Sequence, residues 1–178
     1  MKNLLTTTIL LTLLTVVSCK RDVAIPQKEN GNLIINSSFE NNGQQSFQGW
    51  TGSGYSFVND VPTNGGQWAL QLEPEWFPGE GYAETFITGY SGTNTFVLTC
   101  DTKTINWTGH IILRTKDING TITNLQNITF NNSSWNTISL TTTVLLQQTD
   151  ELIVHLSAGG TEVATGQVLF DNVKLQRQ

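Results

Sequence analysis

From Asn32 to the C-terminus the sequence shows no helical period, and no helix cap is followed by an amphipathic run of helical length. Short runs rich in Val, Ile, Thr and aromatic residues recur instead, each closed by a cluster of Gly, Asn, Asp or Ser. They cover 33–36, 56–59, 67–73, 83–88, 95–102, 109–117, 121–130, 136–144, 152–156 and 167–176. Residues 67–73 alternate cleanly, with Trp68, Leu70 and Leu72 on one face and Ala69, Gln71 and Glu73 on the other. Asn119-Gly120 predicts a two-residue hairpin turn. About ten short strands in one stretch predict an all-β chain, a two-sheet antiparallel β-sandwich or jelly roll.

The N-terminus has a different character. Lys2 precedes an uncharged apolar run, Leu4 to Val17, too short to span a bilayer and suited to the apolar core of a signal peptide. The run ends in Val16-Val17-Ser18-Cys19, which resembles the lipobox of bacterial lipoproteins. The resemblance implies that residues 1–18 are removed and that the Cys19 sulfur carries the lipid. An ordinary secretory signal or a buried N-terminal helix is the alternative. Residues 19–31 then form the lipidated Cys and a polar tether broken by Pro26 and Gly31, reaching roughly 20 Å. Residues 32–178 form one domain.

The chain has nine basic and fourteen acidic residues, and Lys2 is the only charge in residues 1–18. Nothing clusters Lys and Arg, so no nucleic-acid partner is expected. Charged residues are only 13% of the chain, which leaves the polar surface to Thr, Asn, Ser and Gln. With Cys19 committed to lipid, Cys100 stands alone in a strand-like run and reads as a small core residue.

The two ends of the domain carry its sharpest motifs. It opens with Asn32-Leu33-Ile34-Ile35-Asn36-Ser37-Ser38-Phe39-Glu40, followed by Gly49-Trp50, and closes with Val168-Leu169-Phe170-Asp171-Asn172-Val173-Lys174-Leu175. This resembles the galactose-binding-like jelly-roll family, and within it the carbohydrate-binding modules attached to bacterial glycan-degrading enzymes. Ser37 departs from the usual Gly. The resemblance implies first and last strands side by side, with Glu40 near Asp171. Two adjacent carboxylates repel or take up a proton unless a cation lies between them. The resemblance implies a structural Ca²⁺ held by Glu40 and Asp171. Ca²⁺ takes six to eight oxygens, and Asn64 and Gly66 of Thr63-Asn64-Gly65-Gly66 are the candidate carbonyl donors. The alternative is that Glu40 caps a turn and Asp171 meets a Lys or a backbone N–H.

Five Trp in so small a domain raise the question of which rings stay in water, because a sugar stacks its CH face on an exposed ring while amides and carboxylates take its hydroxyls. Trp50, Trp68 and Trp135 are expected in the core. Trp76, Phe77 and Tyr82 lie in or beside a Pro/Gly-rich loop and are expected at the ligand. Trp107 shares a face with Ile111 and Leu113 unless a bulge at Gly109 turns it outward. Thr108, His110 and Arg114 share the opposite, polar face. The candidate ligand-binding set is Trp76, Tyr82, Trp107, Gln71, Glu73 and Arg114. His155, between Val154 and Leu156, reads as a packed or edge histidine.

Glu73, Glu75, Glu80 and Glu84 crowd one region, as a glycosidase carboxylate pair would. No nucleophile elbow and no zinc-ligand spacing accompany them. The expectation is a non-catalytic glycan-binding domain, lipid-anchored at the cell envelope, with envelope glycan-degrading proteins as candidate partners. Lys20 after Cys19 favours the outer membrane by family analogy, and Lys20-Arg21-Asp22 resembles surface-export signals of some Bacteroidota. The alternative function is a structural or adhesive envelope protein that binds protein.

Overall fold

The structure is a computed structural model and describes residues 31–73, 81–159 and 165–178. The expected signal peptide, Cys19 and nearly all of the tether lie outside the described residues, as do Trp76, Phe77, Glu75 and Glu80. The strands are β1 (Glu40–Asn41), β2 (Gln44–Gln45), β3 (Thr51–Ser53), β4 (Tyr55–Val58), β5 (Ala69–Leu72), β6 (Tyr82–Ile87), β7 (Gly92–Ile105), β8 (Thr108–Lys116), β9 (Ile122–Phe130), β10 (Asn136–Leu146), β11 (Glu151–Gly159) and β12 (Gln167–Arg177). β1 and β2 pair with each other. The other ten form two five-stranded antiparallel sheets: a front sheet, β3-β6-β11-β8-β9, and a back sheet, β10-β7-β12-β5-β4.

The all-β sandwich matches the expectation from the sequence, and nine of the ten expected strands are present with shifted ends. Residues 33–36 are the exception. They bend instead of forming a ladder, although the Leu33 amide donates to the Leu175 carbonyl at 2.8 Å. The β8–β9 turn also differs in detail. Gly120 adopts φ 85°, Asn119 does not enter the left-handed region, and Asp117 Oδ1 accepts from the amides of Asn119 and Thr121. A single left-handed Gly closing a three-residue loop replaces the expected two-residue turn.

Alternation builds the core. Leu70, Leu72, Phe96, Leu98 and Phe170 point inward from the back sheet to meet Ile111, Leu113, Leu152, Val154 and Leu156 from the front. Cys100 is fully buried among them, as expected, and burial pushes its thiol up. A bulge between Asp171 and Lys174, with Asn172 at φ 49°, resets the β12 phase so that both Phe170 and Val173 face the core. Trp50 is buried, and its Nε1 donates to the Asn36 carbonyl at 3.1 Å. Trp68 and Trp135 do not join this core, contrary to expectation. Both are half-buried outside the packed cluster.

Phe39 sits at φ 56°, a costly conformation for a bulky residue. Its ring is fully buried against Trp50, centroids 5.1 Å apart, and that packing holds the backbone which launches Glu40. The leading segment is fastened by one buried side chain. Asn32 Oδ1 accepts from the amides of Ile34 (3.1 Å) and Leu175 (2.9 Å), and Asn32 Nδ2 donates to the Val173 carbonyl.

Asn32→Ala leaves the buried Leu175 amide without that acceptor. It is expected to lower unfolding stability by about 2 kcal/mol in urea denaturation, with an unchanged m-value.

Candidate functional site

The outward face of the front sheet collects the side chains of three cross-strand rows. Thr51, Glu84, His155, Ile112 and Asn127 form one row, and Ser53, Tyr82, Ser157, His110 and Thr129 the next. Phe86, Ile153, Arg114 and Asn124 form the third. His155 and Ile153 are buried although they point away from the core, so longer neighbouring side chains close over them. The Tyr82 ring stacks on the His155 imidazole with centroids 5.8 Å apart and planes inclined by 14°.

Beside this stack, one carboxylate organises the polar groups. Glu84 Oε1 lies 2.7 Å from His155 Nδ1 and accepts from Arg114 Nη1 at 3.1 Å. His155 and Arg114 are themselves 3.2 Å apart. Arg114 Nε is buried and has no hydrogen-bond partner among the described residues. His110 Nδ1 meets the Thr129 hydroxyl at 3.0 Å, and Phe86 stays exposed at the rim. Lys116 pairs with Glu151 at 3.0 Å. Both cations of this face are thus paired with carboxylates of the same face.

The expected ligand set is divided by the fold. Tyr82 and Arg114 lie on this face. Gln71 and Glu73 belong to β5 and its end, on the outward side of the back sheet, where Gln71 is buried and donates through Nε2 to Glu73 Oε1. Glu73 follows β5 of the back sheet and is engaged by Gln71, whereas Glu84 lies in β6 of the front sheet and is engaged by His155 and Arg114. Trp107 lies at the β7–β8 turn, half-buried against the core and so close over Gly166 that a Cβ there would come within 2.5 Å of its ring. The strand pairing reveals His155 and Glu84 as site members that sequence reasoning missed. Their signal was parity, since Val154 and Leu156 point inward and His155 between them points outward.

A second arrangement joins the chain ends. Glu40 Oε1 accepts from the amides of Gln67 and Trp68, the latter at 2.6 Å, so Glu40 does cap a turn. Asp171 is fully buried, with Oδ1 on the Asn172 amide at 2.7 Å and Oδ2 without a partner. Gly65 and Gly66 are wedged between the two carboxyls. A Cβ on Gly66 would overlap the Glu40 carboxyl, and one on Gly65 would lie within 2.5 Å of Asp171 Oδ2. The Asn64 carbonyl is near enough to accept from Asn172 Nδ2 at 3.5 Å. Burial pushes the Asp171 pKa up to about 7, with Glu40 and Asp101 adding like charge, against the Asn172 amide. Among the described residues no three His, Cys, Asp or Glu side chains converge as a metal cluster. Two carboxylates beside carbonyl-bearing glycine turns, with one orphaned buried oxygen, are nevertheless the hard-oxygen donor set that Ca²⁺ uses.

Comparison of the coordinates with solved structures decides what this architecture is. A family 16 carbohydrate-binding module superposes with a TM-score of 0.58 at 19% identity, over 81% of this chain and 99% of that one. The fold is the jelly roll of carbohydrate-binding modules. A family 61 module in complex with β-1,4-galactotriose matches with a TM-score of 0.55 at 17% identity, over 83% and 99% of the two chains. The CBM22-1 xylan-binding domain of Paenibacillus barcinonensis matches with a TM-score of 0.52 at 15% identity, over 79% and 91%. The enzymatically active domain of bacteriophage CBA120 tailspike protein 4 gives a TM-score of 0.63 at 17% identity, but this chain spans only 22% of it. No protein-family model and no curated protein matches the sequence.

For the jelly roll in chelator, the raised Asp171 pKa sets a sign. The folded state holds the proton more tightly than the unfolded chain, so stability is full below about pH 4 and falls as pH rises toward 7. Denaturation midpoints in EDTA should show that decline, and Asp171→Asn should flatten it.

Proposed function

We propose that this domain is a non-catalytic glycan-binding module that uses the outward face of its front sheet. The observation that carries the reading is the Tyr82–His155 stack beside Glu84 and Arg114, an aromatic surface joined to fixed hydrogen-bonding groups. A sugar ring lays its CH face on Tyr82, and its hydroxyls meet the accessible edges of Glu84, Arg114 and His110. Because Arg114 and Lys116 are already paired with Glu84 and Glu151, the face favours a neutral glycan over an acidic one. Modules matched over nearly their full length support the same class. Glu73 is taken up by Gln71, and Glu84 by His155 and Arg114, which speaks against a glycosidase pair.

Ca²⁺ in this reading is structural. Glu40 and Asp171 hold it through their carboxylates, and Asn64 and Gly66 contribute carbonyls. The ion would offset the repulsion and desolvation that otherwise keep a proton on Asp171. Its test is thermal: EDTA lowers the melting temperature and Ca²⁺ restores it, while Asp171→Asn abolishes the difference. An unchanged melting temperature rejects the ion.

Attachment completes the proposal. Cys19 carries lipid and holds the domain at the cell envelope, on the outer membrane, beside glycan-degrading proteins. Cys19→Ser should move the protein from the membrane fraction to the soluble fraction of the producing cells.

The binding reading is checked by electrophoresis through gels containing soluble β-1,4-galactan, xylan or glucomannan. The protein should be retarded in at least one gel. Tyr82→Ala should weaken that retardation about tenfold, the loss of roughly 1.4 kcal/mol of stacking. Free migration in all three gels rejects glycan binding and favours the protein-binding alternative. Release of reducing ends from any of these polysaccharides rejects the non-catalytic reading.

A further inference from the structure

The opposite face of the sandwich carries a tryptophan that the core does not use. Trp135 opens the approach to β10, half-buried and outside the packed cluster. Its indole Nε1 donates to Asp60 Oδ1 at 2.9 Å, and Asp60 Oδ2 accepts from Lys103 Nζ. Burial opposes the Asp60 charge, but the bonds from Lys103 and Trp135 outweigh it and hold its carboxyl below the usual range. The ring is thereby locked before any ligand arrives, so little ordering entropy remains to be lost on binding.

The locked ring borders a groove of about 290 Å³. Thr63 and Asn64 of the β4–β5 loop form one wall, and Asp101 and Thr137, paired across β7 and β10, lie opposite. Asp101 is itself fixed, with one oxygen on the Thr137 hydroxyl and the other on Asn172 Nδ2 at 2.9 Å. Among the described residues no Lys, Arg or His lines the groove, which disfavours an anion. An immobile aromatic ring among hydroxyls, amides and a carboxylate is matched by a flat polyhydroxyl ring. The volume is at the small end for ligand clefts and suits a short stretch of sugar, not a long chain.

We propose that the Trp135 groove is a second binding site for a neutral sugar residue, on the back sheet and independent of the front face. A domain of this kind grips glycan from both sides. The glycan chemistry is shared with the front-face reading, but neither site needs the other.

The test uses the full chain in gels of soluble β-1,4-galactan, xylan and glucomannan, comparing wild type, Tyr82→Ala, Trp135→Ala and the double variant. Trp135→Phe, which keeps a ring but loses the indole N–H, controls for packing, and melting temperatures accompany each variant. At an unchanged melting temperature, Trp135→Ala should lower affinity at least fivefold in both the wild-type and the Tyr82→Ala background, and Trp135→Phe should lower it less. If Trp135→Ala migrates as wild type and the double variant as Tyr82→Ala, the groove is overturned and the front face stands. If Trp135→Ala abolishes retardation and Tyr82→Ala leaves it intact, the groove stands and the front face falls. Free migration of wild type in every gel overturns both. A Trp135→Ala variant that melts much lower is judged by Trp135→Phe, whose affinity equal to wild type at equal stability would also overturn the groove.

Discussion

The whole architecture has to accommodate a carboxyl group that water does not reach. Asp171 is fully buried on the central strand of the back sheet, within electrostatic reach of Glu40 and Asp101. An uncompensated charge there costs several kcal/mol, so the group must keep a proton or find a cation. Much of the irregular backbone converges on this point. The β12 bulge carries Asp171, the strained Phe39 aims Glu40, and Gly65 and Gly66 approach both carboxyls where no Cβ fits. The regular pairing of the two sheets is ordinary by comparison. It is the junction of first segment, last strand and glycine turn that fixes how the chain ends meet.

Strand alternation then divides the chemistry between two faces. Each five-stranded sheet sends one set of side chains into the shared core and presents the other set outward. On the front, the outward set is aromatic and internally charge-paired, with buried members that stiffen it. On the back, a Thr-rich strand pair leads to a loop-walled groove with Trp135 at its edge. Both aromatic surfaces are held by carboxylates, Glu84 beside Tyr82 and His155 in one case and Asp60 at the indole N–H in the other. Preorganisation of this kind lets a weakly hydrophobic ligand such as a sugar bind without first ordering its site.

The fold was largely legible because β-rich runs and turn residues mark strands locally. Nine strands followed from that pattern, and so did the burial of Cys100, Ile111 and Leu113, while that of Trp50 followed from its place after Gly49 in the opening motif. The site was less legible because it is made by pairing over long separations. Glu84 and His155 are 71 positions apart and meet only once β6 and β11 are in register. The same reason explains why Gln71 and Glu73 were grouped with Tyr82. They are close in sequence, but β5 and β6 belong to different sheets. Trp68 misled the alternating argument because it precedes its strand, where parity no longer says which way a ring turns. Trp135 stands three and five positions from Ile138 and Leu140, so parity sets it on the opposite side of the strand from them. Residues 33–36 have strand composition, yet Asn32 and the Asn36 φ of 58° bend them.

The route by which the leading segment joins the sheet has a mechanical meaning. Leu33 is hydrogen-bonded to Leu175, and Asn32 to both Leu175 and Val173, all on β12, which has β7 on one side and β5 on the other. Tension applied ahead of residue 31 therefore enters through the middle of the sheet and not through a rim strand. Force at this end is met first by bonds to the most fully paired strand of the sheet, which the leading segment must break before the domain opens.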